Sequence, residues 1–429
     1  MPAVRAVLGV RGYRRLLGVY ALNEAAWSIG LLALALLVYG RTGSALASTA
    51  FFLASQFLPA FVSPALVARL DRLAAGRVLA VLYAAQAVVF VVLAGAESDF
   101  ALVPVLALAL AAGVVGLAAR PLARATTTSI LVPAGLLREG NAVANAVFAV
   151  CIMVGPIVGG VIVSVAGSAA ALLVVAAMFV PAAALLGTAG GLPGRADERA
   201  AARGRVRAAI AFAADDVVIR RLLLYQAGAL VFFSVSIPVE VVFAQRSLHA
   251  GAGGYGALLS AWGSGAIVGS AVYARWRALP GWLLIGLSSV AIGAGFLVMA
   301  QASTLLIAIV GSVVGGVGNG IEAVAERTAL QERVGQRWLA LTLSLNESIF
   351  QALPGVGFVL GGAVAAAAGP RVALAVGGLG AVAAGAIAPV ALRTQRPGAG
   401  APAHVAVELA GPGSDTTREL ERLSDPYSP

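Results

Sequence analysis

The sequence predicts an all-α integral membrane protein, with twelve transmembrane helices in two pseudo-symmetric six-helix bundles. Three observations carry that expectation. The first is composition: of 429 residues, 60% are hydrophobic and 11% charged, and the mean hydropathy is +0.95. Soluble domains are about 45–50% apolar and about 25% charged, so a soluble fold would need a core larger than its surface could keep dissolved. The second is that apolar runs near twenty residues recur along the chain, the length that spans a hydrocarbon core of about 30 Å. The third is a repeat. Gly159 and Gly361, Gly167 and Gly369, and Val132 and Val334 are each 202 positions apart, and Asn145 and Asn346 are 201 apart. A register held over that distance marks two related halves.

The elements follow in order. Residues 1–15 are a short basic arm with Arg5, Arg11, Arg14 and Arg15. Spans are expected near 16–39, 44–68, 74–95, 101–119, 141–165 and 168–188. The links between them are a turn at Arg41-Thr42-Gly43, a basic loop with Arg69, Asp71, Arg72 and Arg77, an acidic turn at 97–99, a basic loop with Arg120 and Arg124, and a turn at Gly167-Ser168. Residues 190–216 break the apolar pattern with mixed Arg, Asp and Glu. The second half repeats the plan near 219–244, 253–274, 279–300, 303–325, 338–366 and 371–392. The domains are therefore a first bundle over 1–189, a cytoplasmic central loop over 190–216, a second bundle over 217–392, and a disordered cytoplasmic tail over 393–429 rich in Pro, Gly, Ser and charge.

Arginine fixes the expected orientation. The chain contains no lysine, and its net charge of +10 comes from 29 arginines against 19 acids. With both termini inside, 26 arginines fall on the inner face and only Arg41, Arg246 and Arg371 on the outer, as the positive-inside rule requires. The basic groups are thus spread over one membrane face, which excludes nucleic acid as the partner. One cysteine, Cys151, rules out an intrachain disulfide. His249 and His404 have no ligand-like neighbours, and no Walker motif, metal spacing or Ser-His-Asp set occurs. The glycine run Gly315–Gly320 sits in an apolar span with no strand before it and no lysine, so it is not a phosphate loop. An enzyme, a cofactor and a metal site are not expected.

Two six-span halves joined by a charged loop resemble the major facilitator superfamily of secondary transporters, over about residues 10–393. Within it, the passage after the fourth span is similar to the enterobactin-exporter and macrolide-efflux branch. A pattern of the form R-x-x-x-R…V-P…N-A-x-x-N…V-G-P-x-x-G-G falls on Arg120, Arg124, Val132, Pro133, Asn141, Asn145, Val154, Gly155, Pro156, Gly159 and Gly160. The loop after the second span resembles the family's G-x-x-x-D-R-x-x-R/K gating motif at Asp71 and Arg72, with Val67 in place of the glycine and the following arginine late, at Arg77. The resemblance implies alternating access of two rocking bundles. It also implies export of a small lipophilic or amphipathic molecule, such as a drug, antibiotic or siderophore, driven by an ion gradient, most simply protons.

Ionisable groups inside a span cost a few kcal/mol and usually face a cavity or a partner. Glu24 lies about nine residues, or about 13 Å, from the inner end of the first span, near the midplane where such folds place their binding sites. Asn23 and Trp27 accompany it. The expected cavity and proton-coupling set is Asn23, Glu24, Trp27, Asn145, Glu240, Asn319, Asn346 and Gln351. For Glu240, late in the seventh span near Arg246, a rim ion pair or outer gate stands open beside substrate contact. The expected cytoplasmic gate is Asp71, Arg72, Arg77, Arg120, Arg124, Glu322 and Glu326, the two glutamates forming a charge cluster at the cytoplasmic mouth. The expected partners are the lipid bilayer, a small-molecule substrate and protons, the expected working unit a monomer, and the expected location a bacterial cytoplasmic membrane. Uptake, uncoupled facilitation, or a non-transporting membrane scaffold or sensor remain open.

Overall fold

The computed structural model describes residues 2–70, 75–187, 217–276, 278–333, 346 and 349–392. The expected central loop and tail, and Asp71 and Arg72 of the gating motif, lie outside the described residues. Eleven helices among the described residues are long and apolar enough to cross a membrane. One of them, Leu137–Gly187, has 51 residues. At 1.5 Å per residue that is roughly 76 Å, more than twice the hydrocarbon thickness, so it holds two spans and the total is twelve.

The first span is Arg11–Thr42, preceded by a short helix, Pro2–Gly9, so the N-terminal arm is helical. The second runs Ala45–Phe52, through a π-helical turn at Leu53–Phe57, into Pro59–Leu70. The third is Ala75–Gly95 and the fourth Leu102–Leu131. The fifth and sixth share Leu137–Gly187. In the second half the seventh span is Val217–Val242 with a π-helical turn at Phe243–Ser247. The eighth is Gly251–Trp276, the ninth Gly281–Gln301, the tenth Leu305–Arg333. The eleventh is Ile349–Ala368 and the twelfth Pro370–Leu392. Helices are the only option here apart from closed barrels, because no water in the bilayer core can bond a free backbone group.

One boundary corrects the sequence reading. Arg120 and Arg124 were expected in a loop, yet the fourth helix continues to Leu131. Hydropathy marks where the apolar run ends, not where the helix ends. Arg, Leu and Ala are good helix formers, and Thr126, Thr127 and Thr128 return their hydroxyls to the carbonyls of Leu122, Ala123 and Arg124.

Two glycines close the corresponding turns of each half. Gly167 stands at φ 84°, ψ 172° between the fifth and sixth spans. Gly369 stands at φ 92°, ψ 163° between the eleventh and twelfth. That region is open essentially to glycine alone. A Cβ would meet nothing within 4 Å at either site, so the backbone angle, not space, demands the residue.

The first half packs through large side chains: Tyr83 and Phe90 of the third span stack on Phe179 of the sixth at 6.0 and 5.8 Å. The second half packs through glycine. Gly265 and Gly269 of the eighth span lie against the backbone of the tenth, and Gly293 of the ninth against that of the twelfth. The two halves meet mainly at the end of the bundle away from the termini, called here the far end. The fifth span crosses the eighth there, with Gly256 on the Pro156 carbonyl and Gly160 on the Ala252 carbonyl. The second span meets the eleventh, with Gly362 on the Thr49 hydroxyl. Small residues at these crossings allow close helix approach.

Candidate functional site

Under that far-end seam lies a cavity of about 210 Å³ bounded by both halves. Ser28 of the first span, Phe52 of the second and Pro156 of the fifth form one side. Phe233, Ser236 and Glu240 of the seventh span and Tyr255 and Trp262 of the eighth form the other. The aromatic wall is continuous: Phe233 and Trp262 have ring centroids 5.8 Å apart, and Trp262 stacks on Phe296 at 5.1 Å. Trp262 reaches that position because Gly315 of the tenth span leaves room beneath its ring. The seam is pinned beside the cavity by Ser260, whose hydroxyl accepts the Ile157 amide at 3.0 Å from the opposite half.

Glu240 is the one carboxylate of this cavity among the described residues. It was expected near the rim and near Arg246. It is instead 9% exposed, with Ser236 one turn earlier on the same helix donating to the Phe233 carbonyl at 3.0 Å, and no ion pair with Arg246 forms among the described residues. Pro238 lies between Ser236 and Glu240 within the same helix. An apolar box with one carboxylate and a few hydroxyls can hold an amphipathic molecule by its apolar body and orient it by one polar or cationic end.

The other expected residues are dispersed. Asn23 and Glu24 are buried, at 4% and 8% exposure, and Asn23 Nδ2 donates to Glu24 Oε1 at 3.1 Å. Asn23 Oδ1 has no partner among the described residues. Neither residue lines the cavity, which begins at Ser28. Trp27 turns towards the third and fourth spans, its indole lying over Gly116 beside Gln86. Asn145, Arg77, Arg120 and Arg124 are exposed. Asn319, Asn346 and Gln351 are half-buried, and Asn346 Oδ1 is a buried acceptor without a partner among the described residues.

Glu322 and Glu326 depart most from expectation. A charge cluster at the cytoplasmic mouth is the expectation, but Glu326 is 4% exposed and Glu322 is half-buried, both within the second half. Ser289 donates to Glu322 Oε1 at 2.5 Å and Gln226 to Glu326 Oε2 at 2.6 Å. The sequence reading passed over Ser289, Tyr225 and Gln226, as it did Ser236, Tyr255 and Trp262. For Gln226 a signal existed, since an amide inside an apolar span needs a partner.

No protein-family model and no curated protein matches the chain. Solved structures do match in shape. The nucleoside transporter NupG superposes with a TM-score of 0.69 at 13% identity, covering 90% of this chain and 100% of that one. A bacterial homologue of the iron transporter ferroportin, in an inward-facing state, gives 0.69 at 14% identity, with 90% and 99% covered. A bacterial homologue of the human lysosomal transporter Spinster, inward-facing and unoccupied, gives 0.66 at 14%, with 89% and 96% covered. At such identity the likeness concerns architecture: the chain has the fold of the major facilitator superfamily, two six-helix bundles in one multi-pass membrane protein.

Proposed function

We propose that this protein is a secondary transporter that exports a small amphipathic molecule across a bacterial cytoplasmic membrane, in exchange for protons, with both termini in the cytoplasm. The observation that carries this is the Glu240 cavity between two bundles that, among the described residues, meet mainly at the far end. Alternating access needs a site at the interface of the halves and a seam that can open. The arginine asymmetry supports a cytoplasmic termini end, which makes the seam the outer gate and the conformation inward-facing. Arg77, Arg120 and Arg124, with Asp71 and Arg72, then belong to the inner gate.

The cavity also narrows the substrate. Sites for drug-sized ligands run to about 300–1,000 Å³, and this one is smaller. It suits a compact apolar body with a cationic or donor end facing Glu240, in preference to a bulky siderophore. A monomer suffices, since one chain supplies both halves.

The test uses protein reconstituted in vesicles and a fluorescent lipophilic amine. Acid-inside vesicles should accumulate the amine, and Glu240→Gln should weaken its binding at least about tenfold, since truncating one partner of a buried charge pair costs about 2–5 kcal/mol. Unchanged affinity in Glu240→Gln removes the assignment of the cavity. Accumulation only with the opposite gradient makes the protein an importer. Binding of a partner protein with no solute movement makes it a scaffold.

A further inference from the structure

The two glutamates of the tenth span lie within the core of the second bundle, away from the cavity. Ile219, Leu222, Tyr225, Leu284, Ile321 and Leu330 pack there as one apolar cluster. Ser289, which donates to Glu322, has its oxygen 2.8 Å from the Tyr225 hydroxyl. Gln226, 2% exposed, donates from Nε2 to Glu326. No arginine pairs with either carboxylate among the described residues. Towards the termini end, the charged and titratable groups of the surrounding elements are Arg220, Arg221 and Tyr225 on the seventh span, Tyr273 and Arg275 on the eighth, and Arg327, Glu332 and Arg333 on the tenth; Glu240, Tyr255 and the twelfth span's Arg371 lie towards the far end. The ninth has none. Arg221, Arg275, Arg327 and Glu332 are exposed.

Two charged carboxylates one helical turn apart in such a core, each with a neutral donor and no arginine partner among the described residues, are expensive, at several kcal/mol per buried ion. A second observation points to what relieves them. Gln226 Oε1 is a buried acceptor with no donor among the described residues. A carboxylic acid facing an amide gives one O–H and takes one N–H, so a proton on Glu326 supplies the missing donor while leaving the existing bond in place. We infer that Glu322 and Glu326 together hold one exchangeable proton, and that this pair, not the substrate cavity, is the coupling site. The coupling role rests on the transport reading above; the proton site does not. Gln226 and Glu240 ride on the same helix, fourteen residues apart, or about 21 Å, so a shift of the seventh span on protonation reaches the cavity directly.

The experiment is infrared difference spectroscopy of the full chain in lipid nanodiscs between acid and alkaline conditions, reading the carboxylic-acid carbonyl band. Wild type should show a titrating band that Glu322→Gln and Glu326→Gln each diminish, by one proton per chain between them. Ser289→Ala, which leaves both carboxyls, should shift the band without removing it, so the reading does not depend on the glutamine variants folding. Glu24→Gln and Glu240→Gln should leave the pair's band in place. Sodium, magnesium or calcium should not displace it. The proposal is overturned by the absence of a titrating acid band in wild type, by a band that survives both glutamine variants or vanishes in Glu24→Gln, or by displacement with a metal ion. A protein that shows the band yet moves no solute in vesicles overturns the transport reading and the coupling role with it, while the proton site stands.

Discussion

Gly167 in the first half and Gly369 in the second have φ of 84° and 92°, while the charged groups beside them are exchanged in sign. In the first half Glu97, at the end of the third span, accepts the Ala169 amide at the start of the sixth and pairs with Arg41 at 3.9 Å. In the second half the position related to Ala169 is Arg371. It donates to the Ala300 carbonyl at the end of the ninth span at 2.8 Å and lies 5.6 Å from the Phe243 ring centre. Either arrangement suits the helix dipoles, an anion at an N-terminus or a cation at a C-terminus. The turn has one solution and the tie has two.

The other ends of the halves differ more. Arg120 and Arg124 are exposed, while Glu322 and Glu326, 202 positions later, turn into the second bundle and find Ser289 and Gln226. A long arginine can carry its charge out to water along its stem. A shorter glutamate on the same kind of face stays inside and needs donors. The comparison teaches that the repeat preserves backbone and crossing geometry, and that the halves divide the work. One half presents cations at the mouth and the other holds acids in its core.

The largest effect should come from the shared turns. Gly167→Ala and Gly369→Ala should each cost about 1–3 kcal/mol, the strain of a non-glycine residue in that region. The pair should add to within about 0.5 kcal/mol, read as the midpoint of thermal unfolding in detergent. A marked inequality between the two would break the equivalence of the halves.

Next is the seam. Gly256→Val would drive a side chain into the Pro156 carbonyl of the opposite half. Overpacking costs about 1–3 kcal/mol, so the far-end-closed state should lose about tenfold or more in population. In a Cys151→Ser background, a cysteine at Leu259 should be labelled from the far side faster by that factor. Equal labelling would mean that the crossing of the fifth and eighth spans is not the gate.

A smaller effect is expected at the exchanged ties. Glu97→Gln and Arg371→Gln should each cost about 0.3–1 kcal/mol, and Glu97→Arg more than either, because it places a cation on a helix N-terminus. Thermal midpoints order the three. Glu97→Arg equal to Glu97→Gln would show that the helix dipole contributes nothing there. The smallest effect belongs to Arg124→Ala, an exposed site expected within about 0.5 kcal/mol of wild type. Gln226→Leu, which strips the donor from a buried carboxylate near the other end of the repeat comparison, should cost about 1.5–3 kcal/mol. Equal losses at the two would erase the contrast in burial.

The sequence by itself determined the membrane class, the number of spans and the two related halves. Each follows from local composition and spacing, and the bilayer allows few other solutions for long apolar runs. Glycine at 167 and 369 was legible for the same reason, since a turn position states its backbone demand in one residue. Only the tertiary structure decided which polar groups meet. Glu24 and Glu240 are both acids in apolar spans, yet one binds Asn23 within the first bundle and the other lines the cavity. Spacing alone puts Glu326 in a charge cluster at the cytoplasmic mouth, whereas the folded chain sets Gln226 of the seventh span against it from 100 residues away. Those outcomes depend on helix rotation and crossing, set by glycines and aromatics on neighbouring spans, and no spacing along a single span records them.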